Sequence, residues 1–155
     1  MAKRPPGLAD RLGTDARGAR HFRLSPEGGL KLTQWDVREL QKAKAAIRAA
    51  IEILLRQLDL TADDLQRVIL TGSFGGVLDP ESALGLGMLP AVRREAIEAV
   101  PNGAGFGAAI MLTDEGFALG EALANRARQI DLDRDSQFAK IYVNALALTP
   151  TLGIV

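Results

Sequence analysis

The steadiest hydrophobic rhythm in the chain runs through residues 33–60, "TQWDVRELQKAKAAIRAAIEILLRQLDL". Val37, Leu40, Ala43, Ile47, Ala50, Ile51, Leu54 and Leu55 recur at the i, i+3, i+4, i+7 spacing of a helix with one buried face. Thr33 stands where an N-cap is expected, and Asp36 puts a carboxylate in the first turn. Before this helix, "HFRLSPEGGLKL" reads as two short extended stretches around Pro26 to Gly29, a β-hairpin with a loop of about four residues. After it the rhythm shortens. A helical turn opens at Thr61, then Val68, Ile69 and Leu70 form the continuous apolar run of a strand covered on both faces. Ile97 to Val100 predicts a second strand, and "QIDLD" (129–133) a last one. Between them "DPESALGLG" predicts a short helix, capped by Asp79 with Pro80 at its first position. "GAGFGAAIMLT" starts a helix that continues through "DEGFALGEALANRARQ", and "SQFAKIYVNALAL" predicts a closing helix. Strand, glycine-rich turn and helix thus alternate, which predicts an α/β domain with helices packed on a mainly parallel sheet.

The 155 residues suffice for one well-cored domain. Residues 1–20, rich in Pro, Gly and Arg, read as a flexible leader, and residues 21–155 as the folded lobe. The charges change the picture by what they exclude. Nineteen basic and nineteen acidic residues leave no net charge, so the electrostatic footprint of a nucleic-acid binder is missing. With no cysteine and a single histidine, His21, this chain supplies no disulfide, iron–sulfur cluster or thiolate zinc site. No apolar run is long enough for a membrane-spanning helix and no signal peptide is recognisable, so the expected compartment is the cytoplasm.

Glycine marks the candidate chemistry. "RVILTGSFGG" (67–76) ends its apolar run in Gly72, Gly75 and Gly76, and a second turn carries Gly103, Gly105 and Gly107. Both are predicted at the carboxyl ends of strands, where α/β proteins bind ligands. Bare backbone there lets a flat or anionic group approach, and a helix start offers N–H groups to phosphate. The same glycines also suit plain turn chemistry or tight helix–sheet packing, and the residues alone leave both readings open. "GAGFG" lacks the G-x-G-x-x-G spacing, and no G-x-x-x-x-G-K-[ST] run occurs.

"LTQWDVRELQKAKAAIRAAIEILL", "RVILTGSFGGVLDPESALGLGMLP", "VPNGAGFGAAIML" and "FAKIYVNALAL" resemble, in order and spacing, the C-terminal part of the reductive activators of corrinoid proteins. The resemblance covers residues 22 to 148. Its most specific part is the run T-Q-x-D-[IV]-R-E-[LV]-Q-x-A-K-A-A-I. Those activators carry an actin-like ATPase domain of the acetate kinase, sugar kinase, heat-shock chaperone and actin superfamily. The implied fold is an α/β ribonuclease-H-like lobe, a mixed, mainly parallel sheet with helices on both faces. The resemblance implies that "LTGSFGG" is similar to the adenosine motif, so that Gly72, Ser73, Phe74 and Gly75 line the nucleotide side of a cleft, with Gly103 and Gly105 beside them. It also implies that Gln41, Lys44 and Arg48, on one helical face, hold the adenosine. Without it, those three read as a solvated polar stripe opposite the buried one.

ATP or ADP with Mg²⁺ is the implied cofactor, and a corrinoid protein the implied partner, activated for methyl transfer. The phosphate-binding turns and metal-directing acids of the family lie upstream of the matched region, in a first lobe, and its ferredoxin domain needs cysteines. The chain is therefore expected to be a second lobe only, with no catalytic residues or metal site of its own. The missing lobe and ferredoxin domain are then partners, and self-association or an exposed apolar patch is expected. A nucleotide-free interaction module that keeps the fold is the alternative. An actin-like kinase or dehydratase activator fits less well, because the helix run and "DPESALGLGMLP" are not general features of the superfamily.

Overall fold

The computed structural model describes residues 7–25, 27, 29–75 and 77–149. It falls into two compact units, with the boundary between Ala43 and Lys44, inside the long helix.

In the first unit, strands β1 (Leu12–Thr14), β2 (Arg20–Arg23) and β3 (Lys31–Thr33) form an antiparallel meander in that order. Phe22 pairs with Leu12 on one side and Leu32 on the other. The hairpin expected around Pro26 to Gly29 is the β2–β3 pair, lengthened by a Leu24 N–H bond to the Leu30 carbonyl (2.8 Å). Pro26 and Gly28 at its tip lie outside the described residues. Residues 9–14, within the stretch read as a leader, form a 3₁₀ turn followed by β1, and residues 1–6 lie outside the description.

Helix α1 (Gln34–Gln57) begins at a reciprocal cap. The Asp36 carboxylate accepts from the Thr33 N–H (2.8 Å) and hydroxyl (2.7 Å), while the Thr33 hydroxyl accepts from the Asp36 N–H (3.2 Å). Its burial differs from the predicted stripe. Ala45, Ala49 and Ile53, four residues apart, are fully buried, whereas Leu40 and Leu54 are exposed. These small side chains widen the covered sector of the helix beyond the stripe of larger apolar residues, of which Ile47 and Ile51 pack on the core.

In the second unit, β4 (Val68–Thr71) and β5 (Ile97–Pro101) pair in parallel, Val68 with Ile97 through Thr71 with Val100. Ala83, Met88, Leu89, Val92 and Ile97 form its core, with Ile47, Ile51, Val68 and Leu70 packed against them. Ile69, on the other side of β4, is half exposed. The run Val68 to Leu70 is thus covered on one side, not both.

Crossing from β4 to β5, the chain forms the single turn α2 (Gly72–Gly75), then α3 (Pro80–Gly85). Asp79 caps α3 by accepting from the Ser82 N–H at 2.8 Å, as expected. Gly87 ends it with φ +69°, and the bonds Gly87 N–H to Leu84 C=O and Met88 N–H to Ala83 C=O close a Schellman motif.

After β5 come α4 (Gly103–Ile110) and α5 (Asp114–Arg126), which are two helices rather than one. Thr113 caps the second by accepting from the Gly116 N–H at 3.1 Å. The "QIDLD" segment is not a strand. Leu132–Arg134 is a 3₁₀ turn leading to α6 (Phe138–Ala145). Its backbone bonds locally instead of in a ladder, Arg134 N–H to the Asp131 carbonyl (3.3 Å) and Asp135 N–H to that of Leu132 (3.1 Å). Just beyond it the Asp135 carboxylate accepts from the Gln137 N–H at 2.8 Å, a local bond leading into α6.

Candidate functional site

The polar stripe of α1 does not face water. In the second unit Lys44, Arg48 and Glu52 follow one another every four residues, so they share one face. Ile47 and Ile51 flank it on one side and Ala45, Ala49 and Ile53 on the other, all packed or buried. The cationic stripe therefore lies inside the covered sector of the helix, contrary to the reading of a solvated stripe opposite the core.

It lines a cleft of about 230 Å³ together with Gly87 and residues of α6 and the segment after it, among them Asn144, Ala147 and Thr149. Lys44 is 1% exposed. Its ammonium donates to the Ala147 carbonyl at 2.5 Å. Burial, and secondly the charge of Arg48, lower its pKa below the ordinary lysine value. Arg48 donates through Nε to the Glu52 carboxylate (2.6 Å) and through Nη1 to the Leu89 carbonyl (2.5 Å). Gln41 stands one turn earlier on α1, half-buried.

The glycine turns come together elsewhere in this unit, at the carboxyl ends of β4 and β5. The Gly103 N–H donates to the Thr71 hydroxyl at 2.9 Å, and Gly72 bridges Pro101. Gly72, Gly75, Gly103 and Gly105 each have an internal reason. Gly72 has φ +69°, a conformation that disfavours other residues. A Cβ on Gly75 would come within 2.5 Å of the Leu70 carbonyl oxygen and 3.0 Å of that of Val100. On Gly103 it would strike the Thr71 hydroxyl, and on Gly105 the side chain of Asn102. Asn102 itself holds φ +54°, a left-handed conformation that asparagine tolerates. Gly72, Ser73, Phe74 and Gly75 form the backbone of α2, and the side chains of Ser73 and Phe74 lie outside the description.

So the structure joins Lys44 and Arg48 in one cleft and gathers Gly72, Gly75 and Gly103 at another place. None of these glycines is among the residues lining the cleft. Sequence reasoning missed Glu52, Gly87, Asn144 and Thr149. Glu52 was accessible as the next i+4 step after Arg48, whereas Asn144 and Thr149 join only through the return of α6. Among the described residues no three acidic or imidazole groups converge.

Residues 11–153 match the family model described as the C-terminal domain of RACo, the ASKHA domain. The corrinoid activation enzyme RamQ of Eubacterium limosum is 31% identical over 143 residues, which cover 88% of this chain and 24% of RamQ. The Co(II) methylated amine-specific corrinoid protein reductase of Methanosarcina barkeri is 33% identical over 70 residues, 45% of this chain and 13% of that protein. Among solved structures, a reductive activator for corrinoid, iron–sulfur protein superposes with a TM-score of 0.78 and 26% identity, covering 93% of this chain and 24% of that one. The chain thus spans about a quarter of the length of RamQ and of the solved activator.

Proposed function

The chain belongs to the family of RACo C-terminal ASKHA domains, and from that membership we propose that it is a nucleotide-binding lobe of an ATP-dependent reductive activator of a corrinoid protein. The observation that carries the reading is the inward-turned cationic stripe. On the helix bearing the family's run, Lys44 and Arg48 open into a cleft instead of water. A stripe of no further use would face solvent, because burying an ammonium against a neutral carbonyl is unfavourable.

In this reading Gln41, Lys44 and Arg48 meet the nucleotide from α1, and the backbone of Gly72, Ser73, Phe74 and Gly75, with Gly103 and Gly105, meets it from the strand ends. Mg²⁺ and the phosphate-binding turns of the family belong to the part of the relatives that this chain does not span, whichever polypeptide provides it. ATP turnover would then drive association with, or release from, the corrinoid protein. An iron–sulfur domain outside these 155 residues would deliver the electron that returns Co(II) to Co(I) for methyl transfer. The cytoplasm, where ATP and reductant meet, is the proposed compartment.

The test is a titration of isotopically labelled protein with ADP and ATP, with and without Mg²⁺, to millimolar concentration, following backbone amide shifts. Saturable shifts at residues 72–75 and along 41–48 are expected, and they should strengthen when the upstream lobe of a relative is supplied. If the amides stay silent even with that lobe present, the chain is an interaction module that keeps the fold without the ligand.

A further inference from the structure

The geometry points to a phosphoryl-binding site in the cleft between α1 and the end of α6, with Lys44 as its principal ligand and Arg48 and Asn144 at its walls. The inference deepens the nucleotide reading by naming the group this cleft takes, and it rests on that reading only for one source of that group.

Lys44 is the starting point. It is 1% exposed, and the contact it makes among the described residues is to a neutral acceptor, the Ala147 carbonyl. An ammonium carries three donors, so that bond leaves two. No carboxylate in the described residues forms an ion pair with it. The charge that does act on it is the like charge of Arg48, which together with burial lowers its pKa. Arg48 is balanced by Glu52 at 2.6 Å. The three charged residues lining the cleft therefore leave one positive charge uncompensated, and that charge sits on the buried lysine. An oxyanion placed there would gain a charge-assisted bond in a partly desolvated site and relieve the repulsion.

The remaining walls suit a tetrahedral anion. Asn144 contributes an amide from α6, Thr149 a hydroxyl, and Gly87, in its left-handed conformation at the end of α3, leaves one side of the cleft free of side chain. About 230 Å³ accommodates a phosphate with its first waters, or the phosphate end of a larger molecule. A bare nucleoside, being neutral, would leave the lysine's charge as it is. The phosphoryl group has two possible sources, a nucleotide or a free phosphate or phosphate ester, and the shared chemistry is what the cleft recognises.

Three titrations at constant ionic strength separate these cases: inorganic phosphate, adenosine and ADP, each followed by amide shifts at Gly87, Asn144, Ala145 and Ala147. Saturable shifts with phosphate and with ADP, and none with adenosine, are expected. Tighter binding of ADP than of phosphate marks a nucleotide as the source, and equal binding marks a free phosphate or another ester. Lys44→Met should weaken the phosphate effect at least tenfold. Should that variant fold poorly, Asn144→Ala, on an exposed position of α6, should weaken it severalfold in a folded sample. Cleft shifts with adenosine but not phosphate would overturn the inference while leaving the nucleotide reading intact. ADP shifts confined to residues 72–75 would do the same. Silence of the cleft toward all three ligands would overturn it as well, while the nucleotide reading would still be decided by the titration with an upstream lobe.

Discussion

At the scale of single residues, the glycines separate into kinds that the sequence writes identically. Gly75 is held between the carbonyl oxygens of Leu70 and Val100, backbone atoms of paired strands that have no room to yield. Gly72 has open space for a Cβ but the wrong φ. Gly107, within α4, has neither constraint. Alanine at these positions should therefore give opposite signs. Gly107→Ala should stabilise by about 0.5–1 kcal/mol through helix propensity. Gly72→Ala should destabilise by about 1–2 kcal/mol through left-handed strain. Gly75→Ala should cost more than either, because strand backbone must move. Denaturant midpoints of the three variants check the order, and equal effects at 75 and 107 would refute the packing account. The contrast bears on function. Loss of ligand binding in Gly75→Ala would report a damaged sheet end as readily as a lost contact. Lys44 and Arg48 are the cleaner probes.

At the scale of elements, the caps were the most legible feature of the sequence. Thr33 with Asp36, Thr61 with Asp64, and Asp79 with Ser82 each stand three residues apart, and each forms a reciprocal or N-capping bond. All three carboxyls are held below the ordinary aspartate value of 3.8. For Asp36 and Asp79 the first cause is the hydroxyl bond, from Thr33 and Ser82. For Asp64 it is the Thr61 backbone N–H. The sign follows from the protons. Below the unfolded value, the unfolded chain binds protons that these folded carboxylates refuse. Their contribution is thus complete above about pH 4 and is lost as pH falls through the lowered folded values. Carboxyl carbon titrations should show Asp36, Asp64 and Asp79 titrating below the ordinary aspartate value. A midpoint at the ordinary value for any of them would remove its cap. What the sequence left unreadable at this scale depended on partners. "QIDLD" has the alternation of a strand, but local backbone bonds, Arg134 N–H to the Asp131 carbonyl and Asp135 N–H to that of Leu132, close a turn instead. The inner face of α1 was read only in part, Ile47 and Ile51 packing on the core as expected while the buried Ala45 and Ala49 were passed over, because alanine carries little hydrophobic weight in a periodic count. Yet Ala45 and Ala49 are fully buried. The cationic stripe could be located on the helix, but its turning inward depends on α6, which returns about a hundred residues later.

At the scale of the whole molecule, the surface carries an apolar face that the core does not account for. Isolated exposed leucines are ordinary, since apolar atoms make up more than half of any protein surface. Contiguity is what matters. Gly116 packs on the Ile110 carbonyl and Gly120 on the Met111 side chain, so α5 folds closely over the end of α4. Phe106 and Ile110, one turn apart on α4, and Leu119 and Leu123, one turn apart on α5, are each more than half exposed, with Leu112 between the helices 88% exposed. A typical monomer's largest apolar patch is about 300–600 Å², and a face of this kind should bind an apolar fluorescent dye and associate as concentration rises. With no net charge on the chain, long-range repulsion does little to oppose that association. Leu119→Lys with Leu123→Lys should reduce both effects severalfold. The denaturation midpoint should move by less than about 1 kcal/mol, because exposed side chains contribute little to the core. Sedimentation and dye binding, compared across a tenfold concentration range, decide the matter. A strictly monomeric wild type that ignores the dye would mean that the face is not functionally uncovered, and it would weaken the view of this domain as a lobe that works against another. Association that persists unchanged in the double lysine variant would place the contact on a different surface.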